Sequence, residues 1–530
     1  MREKSTTWVG KVRGLRQRKL FLIVFRRRPK RQLADIRKKR NKRNFGVVRM
    51  LLFEQKTESD IPIETVSPTK KPIRDRVRSV TDALKDRMHL TFKEFQERVR
   101  VEPQTHFERT LEERTGSICT KNEMELLTVG SEAFAEIEHQ IESAERSISI
   151  NIFSWASDSA GLRLAEKIAQ AKNKNPALKI TVQVDKMGTF FNGTRKGIRQ
   201  NIFRFINEHT IAYFVKYRHI STRKLLSFAH NANAAYHLTA IERRELEDFV
   251  GEVLTHENLI KMNPAIKILS DALGDNLKIV HNGLAGMDHS KVYIFDETLV
   301  LSGGMNIGDE YSGGWSEESG WSGQVKPDYW KDYMVKAKGP VSDIANQMLF
   351  SEKDFSAERA AAHGETQPVR LLRNSRGPLG KDIPFEQKAK LKQITYSTYA
   401  LIDTAEKSLF IEHAYIMDQK VISKLQAAAL RGVKITIIRG RAETPSLARA
   451  NEDYFSQLYD VSNIEILNDD RVLHSKLMCA DGKFTILGSA NLSQTSLHDH
   501  EEVSFFLSGD TPLQAEINGK AQRSVERLRT

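Results

Sequence analysis

Hydrophobic and polar positions along this chain fall into short blocks that occur twice. Lys291 to Phe295 and Lys476 to Ala480 are mostly apolar after a leading lysine, and each reads as a short buried strand bounded by turn signals. A second strand follows each, Leu299 to Leu301 and Phe484 to Leu487, and runs into a small-residue turn. Upstream, Ala144 to Trp155 parallels Ala405 to Ile416, each a helix end passing into a strand. Helices are predicted near 161–172 and 419–431, and further strands at 179–185 and 434–439. Strands alternating with helices argue for α/β layers with a largely central sheet, and the self-similarity argues for an internal duplication.

The duplicated blocks carry the same chemistry. His289-Ser290-Lys291 leads to Asp296, then Gly303-Gly304-Met305-Asn306; His474-Ser475-Lys476 leads to Asp481, then Gly488-Ser489-Ala490-Asn491. Residues i and i+2 of a strand share a face, so each histidine points the same way as its lysine. The glycine turns bring Asn306 and Asn491 to the same end of the sheet. Two lysines and two carboxamides then surround a phosphate-sized space and stabilise charge on phosphoryl oxygens. One imidazole can attack phosphorus while the other protonates the leaving alcohol. The cationic side chains supply what a divalent ion would, so neither metal nor cofactor is expected. Asp296 and Asp481 complete the motifs and count with the candidate catalytic set, although their place after a strand favours a turn-capping role. Asp332 and Glu502 each open a later strand and are candidates for orienting the histidines, with Glu501 the alternative to Glu502 and a strand-edge charge the simpler reading of both.

With these motifs, the chain resembles the phospholipase D superfamily and, within it, bacterial cardiolipin synthases of the phospholipase D type. Further pointers are Ile307 to Tyr311, Trp330-Lys331-Asp332, Gly339-Pro340, and Ala427 to Val433; the resemblance covers roughly 125–510. It implies two similar halves packed about a pseudo-two-fold axis with the site at their seam. It implies His289 as nucleophile, His474 as general acid and then base, and a phosphohistidine intermediate. It also implies Ser489 among the phosphate contacts, with Gly304 lacking the matching hydroxyl. The expected reaction joins two phosphatidylglycerol molecules into cardiolipin with release of glycerol. Water as acceptor would make the enzyme a phospholipase, and a metal-independent nuclease is the remaining alternative. The chain differs from the typical synthase in lacking two opening membrane spans. A peripheral protein on the cytoplasmic face of a bacterial inner membrane is therefore expected.

From Ala144 to His289 is 145 positions, whereas Ala405 to His474 is 69, so the first half carries 76 further residues, mainly within 190–280. This insertion has helical patterning at 199–209 and 239–256, and either shapes the substrate entrance or elaborates the surface. The expected organisation is a basic tail at 1–53, a linker and amphipathic helix at 54–124, a first half at 125–351, a linker at 352–368 and a second half at 369–530.

Charge changes the picture in one place. The net charge is +14, but residues 1–50 hold 19 Lys and Arg against only Glu3 and Asp35, a net of +17. The remainder sums to −3, which argues against nucleic acid as substrate. The tail suits attachment to anionic lipid, binding of nucleic acid or another polyanion, an organellar presequence, or a true start at Met50. Its apolar run Leu20 to Phe25 is too short to span a bilayer. Val77, Val80, Leu84, Met88, Phe92, Phe95 and Val99 form one helical stripe, packed on the core or lying in a membrane interface. Trp315, Trp321 and Trp330 form either a membrane-touching or acyl-binding loop or ordinary packing. Cys119 and Cys479 imply no disulfide framework, and the oligomeric state is not readable.

Overall fold

A computed structural model describes residues 90–193, 206, 210–225, 238–281, 286–315, 329–351, 355, 367–377, 383–442 and 445–530. The basic tail, most of the predicted stripe, all but Ile206 of the helix expected at 199–209, and Trp321 lie outside these residues. The described strands are β1 Thr120–Leu127, β2 Ser147–Ile152, β3 Lys179–Asp185, β4 Leu277–Val280, β5 Lys291–Phe295, β6 Leu299–Gly303, β7 Met334–Lys338 and β8 Gln367–Asn374. The second series is β9 Ser408–His413, β10 Ile416–Met417, β11 Lys434–Arg441, β12 Ile464–Val472, β13 Lys476–Ala480, β14 Phe484–Gly488, β15 Leu492–Ser493 and β16 Glu502–Ser508.

Fourteen of these form one mixed sheet, in the order β12-β11-β9-β13-β14-β16-β8-β1-β7-β6-β5-β2-β3-β4. Under the sequence repeat the order is palindromic about the β8–β1 pair. The outer three strands at each edge are parallel and the inner ones antiparallel. The seam is short: Thr120, Lys121 and Asn122 pair with Val369, Pro368 and Gln367. The fold is thus the expected α/β class with a large central sheet flanked by helices.

Strand alternation divides the core into three. Tyr293, Phe295 and Leu301 face a core with the helices Gly130–Ser143 and Ser159–Lys174. Ile411, Met478 and Phe506 face the matching core of the second half. Val292, Ile294 and Val335 of the first half meet Leu477, Val503 and Phe505 of the second in a core that the two halves share. Burying both faces explains why these strands read as continuous apolar runs.

Several expectations are refined. Strand β1 begins inside the stretch assigned to linker and helix, and β8 takes Gln367 and Pro368 from the expected linker. The described end of the stripe is the helix Phe92–Val99, started by a capping box at Thr91 and Glu94. Phe95 and Val99 are buried in the shared core, and the Phe92 and Phe95 rings pack on Phe355, so this end lies on the protein itself. The helix expected at 239–256 is present as Ala240–Val253, and two further helices, His256–Met262 and Pro264–Leu273, follow it, each of the three with its own side-chain cap at Thr239, Thr255 or Asn263. Their Leu246, Phe249, Leu259 and Ile266 join the first-half core, so this part of the insertion is structural. Among the described residues no helix is long and apolar enough to cross a membrane.

Asp296 and Asp481, counted from sequence with the catalytic set, stand elsewhere. They are the first left-handed residues of the β5–β6 and β13–β14 hairpin turns, with φ of 50° and 54°. The Asp296 carboxylate accepts the backbone N–H groups of Glu145, Arg146 and Ser147, the last at 2.9 Å. Asp481 accepts those of Glu406, Lys407 and Ser408. Each ties its hairpin to the start of the adjacent strand. Five residues of strand, about 17 Å, separate each from its motif lysine. Asp296→Ala or Asp481→Ala should lower stability by about 1–3 kcal/mol through three abandoned N–H groups, while the histidine resonances of the site stay in place. A thermal midpoint unmoved in both variants would sink this assignment.

Candidate active site

The two motif histidines meet at the ends of β5 and β13, and each is held by the other half. His289 N–H donates to Glu501 O at 2.8 Å, and Glu501 N–H donates to Met287 O at 3.0 Å. In the mirror arrangement, His474 N–H donates to Lys331 O and Lys331 N–H to Val472 O, both at 2.9 Å. Two short parallel bridges, Asp288 with Glu501 and Lys331 with Leu473, thereby cross between the halves.

The side chains cross in the same way. Nδ1 of His289 lies 3.0 and 3.1 Å from the two carboxylate oxygens of Glu502. Nδ1 of His474 lies 2.7 Å from Oδ2 of Asp332. An Nδ1–H donated to a carboxylate fixes the tautomer and leaves Nε2 with its lone pair. Of the two glutamates left open by sequence, Glu502 faces the histidine. Glu501 turns to Arg373 and to Arg376, whose Nε lies 2.8 Å away.

Both lysines are buried beside their histidines. Lys291 Nζ donates to His289 O at 2.5 Å and lies 4.9 Å from the Phe153 ring centre. Lys476 Nζ donates to His474 O and lies 2.8 Å from His474 Nδ1, which therefore sits between an amine and the Asp332 carboxylate. Asn306 and Asn491 are buried, and each leaves its Oδ1 without a protein donor; Asn306 Nδ2 donates to the Tyr311 hydroxyl at 3.1 Å. Ser489, expected at the phosphate, is engaged otherwise. Its hydroxyl donates to Glu502 Oε2 at 2.5 Å and accepts Val503 N–H at 3.0 Å, so it braces the carboxylate. A Cβ on Gly304, its counterpart, would overlap the Asp332 carboxylate, so glycine makes room for the shorter acid.

Aromatic rings wall both imidazoles. Phe153 and His500 flank His289 at 4.7 and 5.9 Å between ring centres. Tyr311 and Trp330 flank His474 at 5.2 and 5.5 Å. Trp330 is thus part of the site, whereas Trp315 packs between Phe134 and Arg163. Phe153, His413 and His500 carry no motif signal. His500 was findable only by aligning it with Trp330, each two residues before its carboxylate.

Burial dominates the electrostatics. It pushes the His289 imidazole down to about 4 against the pull of Glu502, and pushes His474 well below its ordinary value, helped by Lys476. Both are neutral in the empty site. Burial also lowers the Lys291 amine to about 7. It raises Asp332 to about 7 despite Lys476. Burial raises Glu502 as well, but His289 and Lys291 override it and bring this carboxyl to about 2. An anion entering between the lysines would favour their charged forms and raise both imidazoles.

The site thus gathers two carboxylate-held histidines, two buried lysines and two asparagines at the joint of a duplicated α/β sheet. The family model described as "Cardiolipin synthase, PLD-like domain" matches residues 398–528, and somewhat under half of the chain is similar to cardiolipin synthases. The enzyme of Geobacillus sp. (strain WCH70) is 25% identical over 234 residues, covering 44% of this chain and 45% of that protein. That of Halalkalibacterium halodurans is 26% identical over 246 residues, 44% of each. The match thus spans less than half the length of these relatives. A solved phosphatidylserine synthase of Haemophilus influenzae Rd KW20 aligns at a TM-score of 0.47 and 15% identity, over 80% of this chain and 91% of that one.

His413 offers a clean pH test. It is buried at the end of β9, opposite Lys476, with its Nδ1 unpartnered, and burial holds it down to about 3. Unfolded, it would take a proton near pH 6.5. The unfolded chain therefore binds more protons between these values, and this residue costs stability as pH falls below about 6.5. Thermal midpoints of the parent and His413→Gln should accordingly shift in favour of the variant from pH 7 to 5. A difference independent of pH would refute neutral burial.

Proposed function

We propose that this chain is a phosphatidyltransferase that joins two phosphatidylglycerol molecules into cardiolipin, works without a metal or cofactor, and acts peripherally on the cytoplasmic face of a bacterial inner membrane. The observation that carries the reading is the pair of imidazoles, each bonded through Nδ1 to a buried carboxylate of the opposite half. The similarity to cardiolipin synthases supplies the lipid class.

In this reading the phosphodiester of the first lipid binds between Lys291 and Lys476, with Asn306 and Asn491 on its oxygens. Nε2 of His289 attacks phosphorus. Glu502, ionised and braced by Ser489, stabilises the positive charge that grows on that ring. The bond from phosphorus to the glycerol oxygen breaks, and His474, charged once the anion is bound, gives its Nε2 proton to the departing alkoxide. His474 is then neutral and takes the proton from the terminal hydroxyl of the second phosphatidylglycerol. That oxygen attacks the phosphohistidine, the P–N bond breaks, and His289 is restored. Asp332, poised near neutrality, suits a partner that must take a proton and give it back. The lysines stabilise the phosphoryl charge in both steps.

Incubation with phosphatidylglycerol vesicles and mass spectrometry of the products tests this. Cardiolipin with free glycerol is expected; phosphatidic acid as sole product would make water the acceptor and the protein a hydrolase. His289→Ala and His474→Ala should each reduce turnover by at least about a thousandfold, and together little more than either alone, because they act as one unit. Sustained turnover in His474→Ala would refute the two-histidine route.

A further inference from the structure

His500 is a third imidazole at the site, and the steps above leave it without a task. Its side chain is buried, with 7% of the residue exposed, and its ring centre lies 5.9 Å from that of His289. Its backbone N–H is spent on Thr495 O, but among the described residues neither Nδ1 nor Nε2 meets a protein partner. The matching place in the other half holds Trp330, whose ring walls His474 at 5.5 Å. A wall alone is therefore served by an apolar ring. An imidazole there leaves two buried polar atoms unsatisfied, at about 1–3 kcal/mol each, unless a ligand completes them.

The chemistry of that ligand follows from the ring. Burial, with His289, Lys291 and Lys392 nearby, pushes this imidazole down to about 3, so it is neutral at physiological pH. A neutral imidazole offers one N–H donor and one lone pair. A phosphoryl oxygen only accepts, and an ammonium only donates. A hydroxyl can do either, so a hydroxyl at one ring nitrogen with a second hydroxyl or a phosphoryl oxygen at the other completes both. We propose that His500 binds substrate directly, holding a hydroxyl of the alcohol portion of the phosphodiester at His289, and thereby selects hydroxyl-bearing alcohols such as glycerol over choline. This rests on the function proposed above and narrows its alcohol.

Two water-soluble probes test it by titration calorimetry on the full chain: glycerophosphoglycerol and glycerophosphocholine. The parent should prefer the glycerol compound by about tenfold, the size of one or two hydrogen bonds. His500→Phe should erase that preference, and His500→Asn should keep it, since a carboxamide also donates and accepts. His500→Leu gives the same comparison if the phenylalanine variant does not fold, as judged by its thermal midpoint. A parent without preference, or a folded apolar variant that retains it, overturns the proposal. The binding readout is separate from turnover. Preference lost in the apolar variant, with no product from phosphatidylglycerol vesicles in the parent, sinks the transferase reading alone. Cardiolipin production with equal preference in parent and variant sinks only the role of His500.

Discussion

Each motif histidine takes its carboxylate from the opposite half, and the rest of the structure is arranged so that this can happen. Glu502 and Asp332 lie at the site only because β16 and β7 start beside the other half's histidine. They start there because Glu501 and Lys331 form backbone bridges across the joint. Those bridges need the two half-sheets to meet face to face over the shared core of Val292, Val335, Leu477 and Phe505. Apolar packing thus fixes the distance between two buried acid–base pairs, at the precision that a hydrogen bond requires.

The halves are alike in frame and unlike in detail, and the differences fall where the chemistry differs. Glu502 has Ser489 donating to it; Asp332 has glycine at the matching place and is the shorter acid. The first carboxyl is firmly ionised, while the second is raised to near neutrality. Lys331 pairs with the buried Glu412, whereas its counterpart Glu501 pairs with Arg373 and Arg376. The crossing bridges are therefore clamped by ion pairs of reversed sense, which leaves each imidazole a different field from the same backbone geometry.

How much of this was legible depended on whether the signal was local. Strands β5, β6, β13 and β14 stood out because short apolar runs end at small-residue turns. The histidines, lysines and asparagines came with them because they sit at fixed offsets. Asp296 and Asp481 lay in the same string, and their role as hairpin anchors turned on contacts with the strand start about 150 and 75 residues earlier. The seam strand β1 was missed because its pattern, Thr-Lys-Asn-Glu-Met-Glu, alternates too weakly, and its partners β7 and β8 come more than 200 residues later. Asp332 was readable as an orienting acid and the second was narrowed to Glu502 or Glu501, but which histidine each serves was not. Crossing and non-crossing arrangements place the same residues at the same positions in the string.

That long separation has a consequence for the life of the chain before it is finished. His289 waits for a carboxylate 213 residues further on, and the lysines for a joint that includes the second motif. A ribosome adding roughly 5–20 residues each second exposes the first motif well before Glu502 exists. During that interval the histidine has no fixed tautomer, no opposing lysine and no proton partner. In an immature or truncated chain the first motif is thereby incomplete, and the paired arrangement of imidazole and carboxylate arrives only with the docking of the last strand.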